Sequence, residues 1–363
     1  MTVLIQNLSL GQSTWIDFIQ RSMLLSGEFE DLIAKGVTGL TSNPTIFQKA
    51  ITTSSDYDSD LKHYSQLEKT PFEIFEALTV QDIQTAADIL LPIYQKSNYK
   101  DGFVSLEVRP SLSHDTEGTV AEANRLWRLI DRPNAMIKVP ATNEGIKALK
   151  ILISQQININ VTLIFSLNAY TNVMDSYIEG LLELNAAGKD ISRVASVASF
   201  FVSRVDTAID SQLAEQSELR GKAAIANAKI AYQKFEKTFL ESDFQKLRTL
   251  GAQYQRPLWA STSTKNPQYP DTLYVDNLVG PYSVNTMPPE TLNAVLDHGK
   301  SAITISDGTS DADKTLLELS ESGISMEKAT DRLLAEGITA FSKSFDEVIL
   351  SIKERCEEFA AAK

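Results

Sequence analysis

Short apolar segments alternate with longer stretches whose apolar residues recur at helical spacing along most of the chain. Residues 13–18, Ser-Thr-Trp-Ile-Asp-Phe, predict a first strand. A helical stretch with Phe29, Leu32 and Ile33 follows, and Gly36 terminates it. Residues 37–41 predict a second strand that closes in Ser42-Asn43-Pro44-Thr45. Helices are expected over 54–66 and over 71–96, where Phe72, Phe75, Ala86, Ile89 and Leu90 are the apolar positions. A third strand over 102–108 leads through a polar turn to a helix ending near Ile130. The run Ala-Met-Ile-Lys-Val-Pro-Ala-Thr, 135–142, is bounded by Pro133-Asn134 and interrupted by Pro140, too short for a helix and right for a buried strand. Ile146, Leu149 and Ile153 mark the next helix, 157–165 alternates as a strand, and 167–186 is helical. A sixth strand is predicted over 194–201, long helical segments over 203–240, and a seventh strand over 257–260 before a Ser/Thr/Lys-rich loop. Residues 282–286 form an eighth strand before a helix opened by Pro288-Pro289-Glu290, and from Asp311 onward the pattern is helical.

Eight strands alternating with helices imply parallel βα units, which either close into a barrel or spread into a doubly wound sheet. Neither Gly-x-Gly-x-x-Gly after a strand nor Gly-x-x-x-x-Gly-Lys occurs, which lowers the open nucleotide-binding sheet and raises the (β/α)8 barrel. No Pro- or Gly-rich linker divides the chain, so one α/β-barrel domain over 1–363 is expected, with a helical extension over about 308–363.

Composition narrows the function. With 43% hydrophobic and 22% charged residues the chain is of ordinary globular type. A net charge of −13 argues against nucleic acid or an anionic membrane as partner, so an anionic ligand must be met by a local cluster of cations. One cysteine, Cys356, excludes an internal disulfide and fits a reducing cytoplasm. No signal-peptide pattern or membrane-length apolar run is present, and His63, His114 and His298 have no metal-ligand spacing, so neither a metal nor another cofactor is expected.

In a closed barrel the catalytic groups sit at the carboxyl ends of strands, and the polar residues there form a short series. Lys138 stands inside an apolar strand. The ordinary reading is a frayed-end lysine with its stem packed and its ammonium in water. The sharper reading is an amine nucleophile whose neutral form is favoured by desolvation. Asp17, Asn43, Glu107, Thr162, Ser199 and Arg204 fall at corresponding places of other βα units. Singly, Asp17 and Asn43 could be helix caps, Thr162 could satisfy a backbone carbonyl, and Glu107 could pair with an arginine. Together, a lysine, two carboxylates and a hydroxyl at one mouth suffice for Schiff-base aldol chemistry. A carboxylate near Lys138 favours the charged amine, so burial must outweigh it or the proton must pass to Glu107.

Several segments match a known family: Gly36-Val-Thr-Gly-Leu-Thr-Ser-Asn-Pro-Thr-Ile-Phe47, Ile137-Lys-Val-Pro-Ala-Thr142, Asn160-Val-Thr-Leu163, Ser199-Phe-Phe-Val-Ser-Arg204, Trp259-Ala-Ser-Thr-Ser-Thr-Lys-Asn-Pro267 and Asn285-Thr-Met-Pro-Pro289. From about Ser13 to the final helix the chain resembles the transaldolases of the pentose phosphate pathway, in their longer plant, cyanobacterial and actinobacterial form. The resemblance implies a TIM barrel that moves a dihydroxyacetone unit from sedoheptulose 7-phosphate to glyceraldehyde 3-phosphate without a metal, as monomer or homodimer. It implies Lys138 as the Schiff-base lysine, Glu107 with Thr162 around a catalytic water, and Asp17 handling the sugar hydroxyl proton. Asn43, Asn160, Ser199 and Phe201 would line the dihydroxyacetone pocket, and Arg204, Ser263 and Lys265 would hold phosphate. The shorter transaldolases carry arginine at the place of Lys265, and the longer ones commonly glycine at Ser263, which leaves Ser261 and Ser263 as alternatives for the phosphate hydroxyl. The competing readings are a Schiff-base aldolase that releases free ketone and a barrel that binds phosphosugars without catalysis. The pairs Phe72/Phe75 and Phe341/Phe345 sit at helical spacing and are expected in the core, and the resemblance suggests that the last helix helps close the site.

Overall fold

A computed structural model describes residues 1–67 and 69–361. Eight strands, β1 Gln12–Ile16, β2 Val37–Thr41, β3 Val104–Glu107, β4 Ala135–Pro140, β5 Ile159–Ile164, β6 Ser196–Phe201, β7 Arg256–Ala260 and β8 Ser283–Met287, pair in sequence order, and β1 pairs with β8 to close the barrel. Every pairing is parallel. Strands covered on both faces read as nearly continuous apolar runs, which is why β4, β5 and β6 are buried at every residue and why a polar side chain within them stands out.

The helices are α1 Val3–Ser9, α2 Arg21–Leu25, α3 Glu28–Ala34, α4 Pro44–Thr53, α5 Asp58–Tyr64, α6 Pro71–Lys96, α7 Thr116–Ile130, α8 Asn143–Ser154, α9 Leu167–Ala186, α10 Ser203–Asp210, α11 Ala223–Phe235, α12 Phe244–Thr249, α13 Leu273–Asn277, α14 Pro289–His298, α15 Thr309–Glu321 and α16 Met326–Ala361. Several of them depart from expectation. Helix α1 precedes the first strand, and α4 begins at Pro44 where the pattern predicted only a turn. Asn-Pro reads as a turn, but an Asn cap with proline at the first helical position is equally a helix start: Asn43 Oδ1 accepts from Ile46 N at 3.0 Å. The helix expected over 54–66 shortens to α5, and the long segment expected over 203–240 is broken between α10 and α11.

Below the site, at the amino-terminal end of the barrel, Asp101 accepts from Ser13 Oγ at 2.5 Å and from Trp15 Nε1 at 2.8 Å, and Arg256 donates to the same Ser13 hydroxyl at 2.8 Å. Trp15 passes over Gly39, where a Cβ would lie 2.5 Å from the indole nitrogen. This end is therefore plugged.

Strand β5 carries an irregularity. Val161 pairs with Ala198, yet the next pairing is Ile164 with Phe200, so β5 has one residue more than β6 over this span, a β-bulge. Leu163 lies in it with φ 57°, a left-handed conformation that costs a non-glycine residue about 1–3 kcal/mol.

The extension over 308–363 forms α15 and α16, separated by Gly323 at φ 80°; Ala362 and Lys363 lie outside the described residues. Helix α16 crosses α4, α5, α6 and α10. Its buried stripe includes Leu333, Gly337, Phe341, Val348 and Ile352. Thr45 and Ser344 share a hydroxyl hydrogen bond of 2.8 Å, and Arg355 bonds Asp58 and the Ile51 carbonyl. Phe345 packs against Phe72 and Phe75 with ring centroids at 6.3 and 5.4 Å. Among the described residues no helix is long and apolar enough to cross a membrane.

Candidate active site

The strand register places the first residues of the site. Glu107 pairs with Lys138 between β3 and β4, and Lys138 pairs with Asn160 between β4 and β5, so the three lie side by side in one row. Lys138 is buried at 4% exposure, which removes the frayed-end reading. Its ammonium donates to the Ser42 carbonyl at 2.8 Å and stands 3.4 Å from Glu107 Oε2.

The Glu107 side chain is buried, and that burial outweighs the attraction of Lys138. With Asp17 adding a like charge, the carboxyl is pushed up to about 7. It can therefore take or give a proton near neutrality. Among the described residues neither Glu107 Oε2 nor Thr162 Oγ1 has a protein hydrogen-bond partner, although both atoms are buried.

A cavity of about 350 Å³ opens at the carboxyl end of the barrel. Asp17, Asn43, Lys138, Thr162, Ser199, Phe201, Arg204, Ser261, Ser263 and Lys265 all line it. Asp17 follows β1 directly, one residue past the strand that was expected to contain it, and its amide still bonds the Met287 carbonyl at 2.9 Å. Thr41 donates to Asp17 Oδ1 at 2.7 Å. Burial pushes the Asp17 carboxyl up, while Lys138, the Thr41 hydroxyl, Arg204 and Lys265 pull it back. Asn43 serves as a helix cap and as a cavity wall at once: its carbonyl oxygen holds α4, and the amide nitrogen is left as donor.

Two predicted residues do not reach the cavity wall. Asn160 is fully buried, donates to Ser105 Oγ at 3.1 Å and accepts from Ser199 Oγ at 2.7 Å, so it orients Ser199 from one layer below. Glu107 likewise flanks Lys138 without lining the cavity.

At the mouth Arg204 stacks over Phe201, 5.5 Å from the ring centroid. Lys265 donates to Ser263 Oγ at 2.6 Å, and Ser261 meets Ser203 through hydroxyls 3.0 Å apart. Burial lowers the Lys265 ammonium pKa, and nearby Arg204 and Lys49 lower it further. Among the described residues none of these three cations has a carboxylate within salt-bridge distance. Three cations on one rim repel one another, Asp17 and Glu290 offset part of that repulsion, and a phosphate would relieve more of it.

Sequence reasoning missed Lys49 and Phe341. Asn43, Ile46 and Lys49 line the cavity from one face of α4, a spacing that becomes visible once residue 44 is taken as a helix start. Phe341, expected as plain core, turns its ring into the cavity from α16.

A family model described as transaldolase/fructose-6-phosphate aldolase matches residues 14–352. The transaldolase of Thermobifida fusca is 47% identical over 346 residues, covering 93% of this chain and 94% of the relative. That of Trichodesmium erythraeum is 42% identical over 366 residues, 96% of both chains. That of Neisseria meningitidis is 44% identical over 349 residues, 96% of this chain and 99% of its own. With its closed eight-stranded barrel and a family match running almost from end to end, the chain belongs to the transaldolase/fructose-6-phosphate aldolase family.

Proposed function

We propose that the chain is a transaldolase that moves a dihydroxyacetone unit from sedoheptulose 7-phosphate to glyceraldehyde 3-phosphate through a Schiff base on Lys138, giving erythrose 4-phosphate and fructose 6-phosphate. The observation that carries the mechanism is a buried lysine 3.4 Å from a carboxyl poised near neutrality, in a barrel mouth that also holds Asp17. Glu107 accepts the proton that the Lys138 ammonium must lose before its nitrogen can attack the ketone carbon. The resulting carbinolamine loses its hydroxyl as water, with proton transfers through Glu107 and a water held between Glu107 and Thr162. Asp17 then takes the proton of the C4 hydroxyl as the C3–C4 bond breaks. The aldehyde leaves and the electron pair stays on the enamine. Addition of the acceptor aldehyde and hydrolysis run the same steps backwards. Arg204 with Lys265 holds the phosphate, through a fork and a point charge. A reducing cytoplasm is the setting proposed, in which the single Cys356 stays a thiol.

The test is borohydride reduction with fructose 6-phosphate, followed by intact mass and peptide mapping. A dihydroxyacetone-sized adduct on Lys138, absent from Lys138→Ala, is expected. No adduct while phosphosugar binding persists would turn the reading into a binding barrel. Product analysis with and without acceptor aldehyde separates transfer from release of free ketone.

A further inference from the structure

Thr162 is followed at once by the left-handed Leu163, and nothing in the local sequence asks for that conformation: no glycine or asparagine stands there. Something outside β5 must hold it. Ile164 pairs with Phe200 beyond the extra residue of the bulge, and Leu163 packs toward α16, where its side chain is buried at 1% exposure. There it lies against Gly337, the single glycine of α16. A Cβ on Gly337 would stand 2.9 Å from Leu163 Cδ2 and 3.3 Å from Cδ1. Glycine in the middle of a helix is unfavourable, so its presence on the buried stripe fits a close approach. One turn further along that stripe Phe341 enters the catalytic cavity.

We infer that the seat of Leu163 on Gly337 is a positioning device: helix α16 holds the bulge of β5 and thereby fixes where the Thr162 hydroxyl points into the catalytic cavity. This rests on the part given to Thr162 in the proposed reaction. Gly337 and Leu163 touch no substrate and act through Thr162. A displaced Thr162 slows proton transfer around the carbinolamine, whereas the phosphate is held elsewhere on the rim by Arg204 and Lys265. The defect therefore falls on kcat more than on KM.

The experiment is a double-mutant cycle of Leu163→Ala and Gly337→Val, with Thr162→Ala in parallel. Steady-state transfer is measured across pH, well below each variant's melting temperature. Each single variant is expected to lose about tenfold in kcat, since misplacing a catalytic group by about 1 Å costs up to about 10²-fold. The limb near pH 7 is expected to shift with it. The pair L163A/G337V should outperform both singles, because the branched side chain refills the emptied seat. A merely structural contact would lower the melting temperature without moving the pH profile, and its mutual rescue would be of the melting temperature and not of kcat. Should G337V fail to fold, the loss of kcat in L163A decides alone. Single variants with wild-type kcat and pH profile, beside an impaired T162A, would overturn this inference and leave the reaction standing. A fully active T162A would end this inference and remove Thr162 from the reaction, whereas a wild-type protein without transfer activity would end both readings.

Discussion

Replacing Glu107 by glutamine should make the protein more stable and less active, with a pH dependence fixed by one carboxyl. In the unfolded chain a glutamate titrates near 4.5; in the folded protein burial raises Glu107 to about 7. Between these values the folded state holds the proton and the unfolded state has lost it, so the group's contribution to stability falls as pH rises from 4.5 to 7. At about 1.4 kcal/mol per unit the total is about 3 kcal/mol. Glutamine keeps the shape and cannot ionise. Glu107→Gln should therefore match the wild type near pH 4 and exceed it by about 3 kcal/mol at pH 8, with a melting point a few degrees higher. Chemical denaturation at pH 4, 5, 6, 7 and 8 measures this directly. Activity moves the other way: kcat should fall by about 10²-fold or more, and the limb near pH 7 should vanish. Parallel stability curves for the two proteins across this range would refute the argument, because they would mean that Glu107 is not held above its ordinary value.

Asp206 provides a control away from the chemistry. It is buried and pushed up to about 7 even though the Ala224 amide at 2.7 Å and the Tyr274 hydroxyl at 2.9 Å donate to it. Asp206→Asn should flatten the same part of the stability curve while the pH profile of turnover stays that of the wild type. Lys49→Met should lower the ratio of kcat/KM for a phosphorylated over an unphosphorylated acceptor aldehyde by about fivefold, the scale of an exposed charge contact of about 1 kcal/mol. Lys49→Arg should restore the ratio, and an unchanged ratio in Lys49→Met would remove Lys49 from the phosphate rim. Ending the chain after residue 340 strips Phe341, Val348 and Ile352 from their burial, at roughly 2 kcal/mol each. Loss of turnover and a much lower melting point are expected, and a shortened protein with full activity would show that α16 is dispensable.

The barrel was legible because each strand is buried on both faces, so its apolar run is short, bounded and followed by a helical period. The candidate residues of the barrel mouth were legible for the same reason: a lysine, a threonine or a serine inside such a run breaks the pattern, and the parallel register turns positions along the chain into neighbours in space. What escaped depends on contacts between distant segments. Nothing local distinguishes Phe341, which faces the cavity, from Phe345, which packs on Phe72 and Phe75; the direction in which α16 crosses the barrel decides it. The bulge at Leu163 carries no turn residue, so its conformation comes from packing. Helix α4 was hidden by the double meaning of Asn-Pro, and with it Lys49. Asn160, which the family resemblance implies as a pocket residue, bonds Ser105 and Ser199 through its amide, a pairing that only the fold brings about.

Helix α16 is also the last part of the described chain to leave the ribosome. All eight strands have been made by the time Met287 is added, so the barrel's ladder can close while residues 326–361 are still being synthesised. Lys138, Glu107 and Thr162 are then present on their strands, but the wall formed by Phe341 and the brace on α4 are missing. A nascent chain of this kind carries the polar side chains of the barrel mouth in a pocket open on one side, and its wall is complete only when the final helix docks.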